Sequence, residues 1–194
     1  MIIPLNSSDA WTAQLQPLNI YDWATLTAFV QNLPYGRNKN RSDFSLVISE
    51  RKGSCSSKHA YLKEIAQRNN LNDVQLIMGI YKMNPKNTPG IGNLLAENGL
   101  AYLPEAHCYL KIKGQRKDFT QSNSNTKNWE ADLLEEQTIV PDQVSEFKVT
   151  YHKEFLRNWL TSCDLDLSFD ALWKVREACI NKLSNTKIDK AHNF

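Results

Sequence analysis

The sequence is short of the features that mark membrane, disulfide-bonded or nucleic-acid-binding proteins. No run approaches the ~20 consecutive apolar residues that span a bilayer. Only four cysteines occur in 194 residues, at positions 55, 108, 163 and 179, and none forms a Cys-x-x-Cys pair. Free thiols are therefore expected. Seven glycines and seven prolines are too few for a collagen-like or low-complexity chain. Neither sign of charge dominates: 23 Lys and Arg face 21 Asp and Glu, a formal net charge of +2. The densest basic run, Arg37 to Arg41, is interleaved with Asn and has only Tyr35 as a nearby aromatic. A nucleic-acid surface would show a clustered patch, so no nucleic-acid partner is expected. Met1-Ile2-Ile3-Pro4-Leu5-Asn6 lacks the basic and apolar regions of a signal peptide. No membrane association and a cytoplasmic location are the corresponding expectations.

What is present fits an ordinary globular domain: 41% apolar and 23% charged residues. The length predicts a single domain over 1–194. Asp22 to Asn32 has helical spacing and is stopped by Pro34; Pro34 to Arg41 reads as a polar loop. Gly53-Ser54 supplies a turn and a capping hydroxyl for a helix from about Ser54 to Asn69, with Cys55 in its first turn. Val74 to Met83 is apolar enough for a central strand. Asn84 to Gly99 reads as a loop with a helical turn near Leu94 to Glu97. Ala106 to Lys113 and Arg116 to Thr120 read as a hairpin turning at Gly114-Gln115. Gln121 to Asn128 is expected on the surface. Beyond it the pattern turns helical, over Pro141 to Leu160 with a core stripe of Val144, Phe147, Tyr151, Phe155 and Trp159. A last helix is predicted over Ser168 to Leu183, capped by Ser168, with a frayed tail after Ser184. Helix, sheet and further helices make an α+β domain.

A catalytic cysteine must be a thiolate, and a helix N-terminus and an adjacent imidazolium both favour that form. Cys55 has the first. Of the four histidines, His59 lies four residues on along the same helix, His152 falls inside a helical pattern and His192 in the tail. His107 opens a predicted strand, and the partner strand ends at Asp118, so a hairpin brings the two close. A carboxylate there would hold the ring's tautomer and stabilise the imidazolium. The Cys55 backbone N–H is one oxyanion donor, with Tyr35, Asn38 and Asn40 as candidates for a second. Glu105 reads as a polar neighbour at the cleft rim. Cys55, His59, His107 and Cys108 are of zinc-ligand type, but adjacent strand residues point to opposite faces, so no metal is expected.

Gly53-Ser54-Cys55 before a helix, then Ala106-His107-Cys108-Tyr109-Leu110 on a strand, then Asp118-Phe119-Thr120, resembles the transglutaminase-like superfamily. The resemblance covers Lys52 to Gln121, departing at Cys108 and at Arg116-Lys117, where the family often carries an aromatic and a Trp. It implies a papain/transglutaminase-like core with the nucleophile helix packed on an antiparallel sheet over about 52–121 and a helical part over about 141–184. It also implies acyl transfer through a thioester on Cys55, with His107 and Asp118 completing the triad and no cofactor. The substrate would be a peptide or amide, within a protein or free. Water as acceptor gives a hydrolase and an amine gives a transglutaminase; a non-catalytic interaction module keeping the fold is the alternative.

Overall fold

The computed structural model describes residues 3–6, 8–163 and 165–185. The tail expected to fray beyond Ser184, with His192 in it, falls from residue 186 onward outside the described residues. Two short helices, α1 (Ala10–Ala13) and α3 (Leu46–Ser49), and two longer ones, α2 (Trp23–Asn32) and α4 (Cys55–Arg68), precede the sheet. Strands β1 (Val74–Met83), β2 (Leu103–Ile112), β3 (Gln115–Lys117) and β4 (Leu133–Ile139) form it. Helices α5 (Glu146–Ser162) and α6 (Phe169–Asn185) close the chain. The domain is α+β, and its strands run antiparallel in the order β3–β2–β1–β4.

β1 is apolar from Leu76 to Tyr81 because both of its faces are covered there, while Gln75 and Lys82 near its ends are not buried. Leu76 and Met78 join Cys108 and Leu110 of β2 beneath α2 and α4, in a core with Leu26, Val30, Leu62 and Ile65. Ile77, Tyr81 and Met83 join Tyr109 of β2 in a second core with Leu156, Leu172 and Cys179 from α5 and α6. Ser168 caps α6 as expected, accepting the Ala171 N–H at 3.2 Å.

Three expectations need correction. The hairpin turns at Lys113-Gly114, not Gly114-Gln115; both residues have positive φ, 50° and 78°, as a two-residue turn matched to strand twist requires. β3 consequently ends at Lys117, and Asp118 to Thr120 leave the sheet. Residues 133–139, assigned to no strand from sequence, form edge strand β4, which is buried on neither face except at Ile139 and so lacks an alternating pattern. Finally, Pro141–Val144 is a 3-10 turn, and α5 begins after it. The inward residues of α5 are Lys148, His152 and Leu156, one position round from the aromatic stripe; Phe147 is exposed and Tyr151, Phe155 and Trp159 are half-buried. The helix is turned so that Lys148 and His152 face the interior with Leu156.

Candidate active site

Cys55 owes its place to the three residues around it. The Ser54 hydroxyl accepts the Ser57 N–H, and the Ser57 hydroxyl accepts the Ser54 N–H. This reciprocal cap makes Cys55 the first helical residue, where unpaired amides and the helix dipole favour an anion. Gly53 is required by close approach: a Cβ there would lie 2.8 Å from Lys58 Cγ and 3.2 Å from Val47 Cγ2. The Gly53 N–H also donates to the Pro34 carbonyl at 3.1 Å, and its carbonyl accepts from Gly36 at 3.2 Å. That bridge pins Tyr35 beside the nucleophile turn.

His107 and Asp118 meet through the hairpin. Leu110 faces Lys117 across β2 and β3, so Asp118 falls opposite Tyr109, diagonal to His107 on the same face. A two-residue turn displaced by one position moves the register by two, which keeps the face unchanged. His107 Nε2 stands 2.9 Å from Asp118 Oδ2. The Thr120 N–H donates to Asp118 Oδ1 at 2.9 Å, and Trp129 Nε1–H donates to Oδ2 at 3.2 Å. With Nε2 taken by Asp118, Nδ1 is the nitrogen left to act on Cys55, and the charges of the two groups shift each other. Because β3 ends at Lys117, the edge of β2 beyond Leu110 has no partner strand on that side among the described residues.

Burial alone pushes the Cys55 thiol up, but the positive charges of Lys148 and His107, with the hydrogen bonds from His107 and Cys108, outweigh it and bring it down to about 6. Burial opposes a charged His107 as well; the negative charges of Asp118 and Cys55 overcome this and raise it to about 10. Asp118 is buried, yet the charge and hydrogen bond of His107 hold its carboxyl well below the usual range. Between about pH 6 and pH 10 the pair is thus thiolate and imidazolium. Burial pushes the Cys108 and Cys179 thiols the other way, each to about 11.

His59 plays a different part. Its Nδ1–H donates to the Cys55 carbonyl at 2.8 Å, and its Nε2 accepts the Phe119 N–H at 2.8 Å. Both nitrogens are committed to backbone, burial brings the ring down to about 4, and it is neutral at pH 7. It ties the nucleophile turn to the loop that carries Asp118. Fully buried Lys58 makes a parallel tie, donating to the carbonyls of Leu33 at 2.6 Å and Thr120 at 2.7 Å. With His59 so engaged, Cys55, His59, His107 and Cys108 do not converge: among the described residues, no group of three or more such side chains is placed to hold a metal ion.

Of the three candidate oxyanion donors, Tyr35 lines the space at Cys55. Asn38 does not qualify, since both of its amide hydrogens are used, by Glu50 at 3.1 Å and the Lys52 carbonyl at 3.0 Å. Asn40 is exposed and caps a turn, accepting from the Ser42 N–H at 3.0 Å. Glu105 is not at a rim: it is 5% exposed and grips Arg176 with two contacts of 2.5 and 2.9 Å. The sequence reading passed over Trp129, which lies 5.2 Å from the His107 ring and 4.7 Å from Tyr109 and roofs the His107–Asp118 pair. It also passed over Lys148, 7% exposed, whose Nζ donates to Ser56 Oγ at 2.9 Å. An indole following a polar stretch and a lysine inside a helix carry no local signal. A cleft of about 370 Å³ opens on Cys55 and His107, walled by Tyr81 and Trp129 and by the amides of Asn125 and Asn128.

No protein-family model matches this chain, and no curated protein matches it. Among solved structures it is similar to "a Putative Cysteine Protease from Cytophaga hutchinsonii", at 16% identity and a TM-score of 0.36, over 66% of this chain and 46% of that one. The chain therefore spans under half the length of that protein, and the likeness is too distant to assign a role to any residue.

Proposed function

We propose that the protein is a cysteine-dependent acyl-transfer enzyme with a transglutaminase-like, papain-type core, hydrolysing an amide or peptide bond through a thioester on Cys55. One observation carries this reading: a buried thiol at a helix start opens on the same cleft as an imidazole whose Nε2 is held 2.9 Å from a carboxylate. In the first step the Cys55 thiolate attacks the carbonyl carbon, the C–N bond breaks, and the imidazolium gives its Nδ1 proton to the departing amine. Neutral His107 then takes a proton from water, whose oxygen attacks the thioester and expels the thiolate. Asp118 stays ionised throughout and stabilises the imidazolium. In this reading the Cys55 N–H and the hydroxyl of Tyr35, which lines the same cleft, serve the developing oxyanion.

The test uses p-nitrophenyl acetate. A burst of p-nitrophenol with an acetyl group mapped to Cys55, absent in Cys55→Ala and decaying with time in the wild type, is the expected result. An amine added to the medium and recovered acetylated would assign the acceptor as amine. A Cys55 that alkylates normally but never acylates would instead make the domain a non-catalytic interaction module.

A further inference from the structure

The charges around Cys55 are unevenly placed. Adjoining the 370 Å³ cleft, with Tyr35, Cys55, Glu105 and Ile180 shared between them, lies a smaller recess of about 50 Å³, bounded by Arg37, Arg41, Lys148 and Arg176, with Glu105 as the one carboxylate in its lining. The larger cleft has no Lys or Arg among its described lining residues. Two of the four cations are committed. Arg37 makes a two-pronged pair with Glu177 at 2.8 and 3.0 Å, and Arg176 is held by Glu105 and by Glu177 at 2.6 Å. Arg41 and Lys148 have no carboxylate within salt-bridge distance among the described residues. Lys148 is the informative one: only 7% exposed, it spends one of its three N–H groups on Ser56 Oγ at 2.9 Å.

A buried ammonium needs a counter-charge, and in the resting enzyme the Cys55 thiolate supplies it. Acylation removes that charge from the sulfur. At that moment Lys148 keeps its Ser56 hydrogen bond and the field of Glu105, which is already paired with Arg176, and a carboxylate on the substrate would restore the lost counter-charge.

We propose that the recess framed by Arg41 and Lys148 is a carboxylate-binding subsite, so that the preferred substrate carries a carboxylate beside the bond that Cys55 attacks. This rests on Cys55 being the nucleophile. The recess admits a planar carboxylate and little more, while the larger cleft, with no Lys or Arg among its described lining residues, takes the rest of the chain. The carboxylate can come from an Asp or Glu side chain or from the free C-terminus of a peptide.

Iodoacetate and iodoacetamide separate this proposal from the nucleophile assignment, since they differ only in carboxylate against amide. The ratio of their alkylation rates at Cys55, read by mass spectrometry, is compared with the ratio for 2-mercaptoethanol. Cation-lined clefts raise local anion concentration by roughly tenfold or more, so the Cys55 ratio should exceed the reference by about that factor. It should fall toward the reference in Arg41→Gln and below it in Arg41→Glu. A Cys55 that reacts with iodoacetamide but shows only the reference ratio overturns the subsite and leaves the nucleophile standing. Failure with both reagents overturns both. A mixture of synthetic peptides with free or amidated C-termini then identifies the source. Cleavage beside Asp or Glu in either set assigns the side chain, cleavage only near free termini assigns the terminal carboxylate, and cleavage with no carboxylate nearby overturns the proposal.

Discussion

Replacing Asp118 with Asn keeps the shape of the side chain and removes its charge, and the structure fixes what should follow. The carboxylate lies 2.9 Å from His107 Nε2 and is 4% exposed. At a charge separation of about 4 Å and an effective dielectric of ~20, such a pair is worth roughly 4 kcal/mol, or about three pKa units of the imidazole. His107, held at about 10 in the wild type, should then titrate near its ordinary value. The sign follows from the direction: a raised histidine pKa favours the proton, so losing its cause releases the proton at lower pH. The Cys55 thiolate loses its partner with it, and its own pKa climbs from about 6. The rate of Cys55 alkylation by iodoacetamide, followed from pH 5 to about pH 10, reads this directly, because reactivity follows the thiolate fraction. At pH 6.5 the variant should react about tenfold more slowly, with most of the deficit recovered above pH 9. His107→Ala should lose nearly all the low-pH reactivity, and the double variant should be little worse, since the residues act as a unit. A profile unchanged by Asp118→Asn would refute the argument that this carboxylate sustains the ion pair.

Acid stability tests the buried histidines. Burial brings His59 and His152 each to about 4, so the unfolded chain binds protons that the fold excludes, and their stabilising effect, present above about pH 6.5, is lost as pH falls through 4. Each contributes up to about 3 kcal/mol over that window, and Tm measured from pH 7 to pH 4 should fall less steeply in His59→Gln. Equal slopes would mean that the ring is not held neutral in the fold. Glu105→Gln leaves the 8% exposed Arg176 side chain without its buried partner and should cost about 3–5 kcal/mol by urea unfolding; a change under about 1 kcal/mol would contradict the burial of the pair. Gly53→Ala forces a Cβ to within 2.8 Å of Lys58 Cγ. It should cost about 1–3 kcal/mol and slow Cys55 alkylation, whereas an unaltered labelling rate would show that the turn yields without moving the nucleophile.

How much of this was legible depended on how local the cause was. The start of α4 was readable because Gly53, Ser54 and the apolar period of Leu62, Ile65 and Ala66 sit within a few turns of one another. The approach of Asp118 to His107 was readable because a short hairpin joins them, and a misplaced turn left the face unchanged. The residues that follow Cys55 give no local sign of their burial: Ser57, Lys58 and His59 are all buried and build a polar interior around it. His59 looked like a packing residue because its two backbone partners, Cys55 and Phe119, meet only once the sheet has formed. α5 deceived for a related reason. Its aromatic stripe is the more hydrophobic, but Lys148 and His152 find charges and carbonyls inside that make their burial favourable. Periodicity ranks faces by hydrophobicity and does not register such partners.

The most direct measurement of the central claim is competitive labelling of the folded protein with limiting iodoacetamide at pH 6.5, with each cysteine quantified by mass spectrometry. With its pKa brought to about 6, more than half of Cys55 is thiolate at that pH, while Cys108 and Cys179, at about 11, are almost wholly protonated. Cys55 should account for nearly all the label, and the selectivity should vanish in urea. Label spread evenly over the four cysteines, or concentrated on Cys108, would contradict a thiolate held at the start of α4.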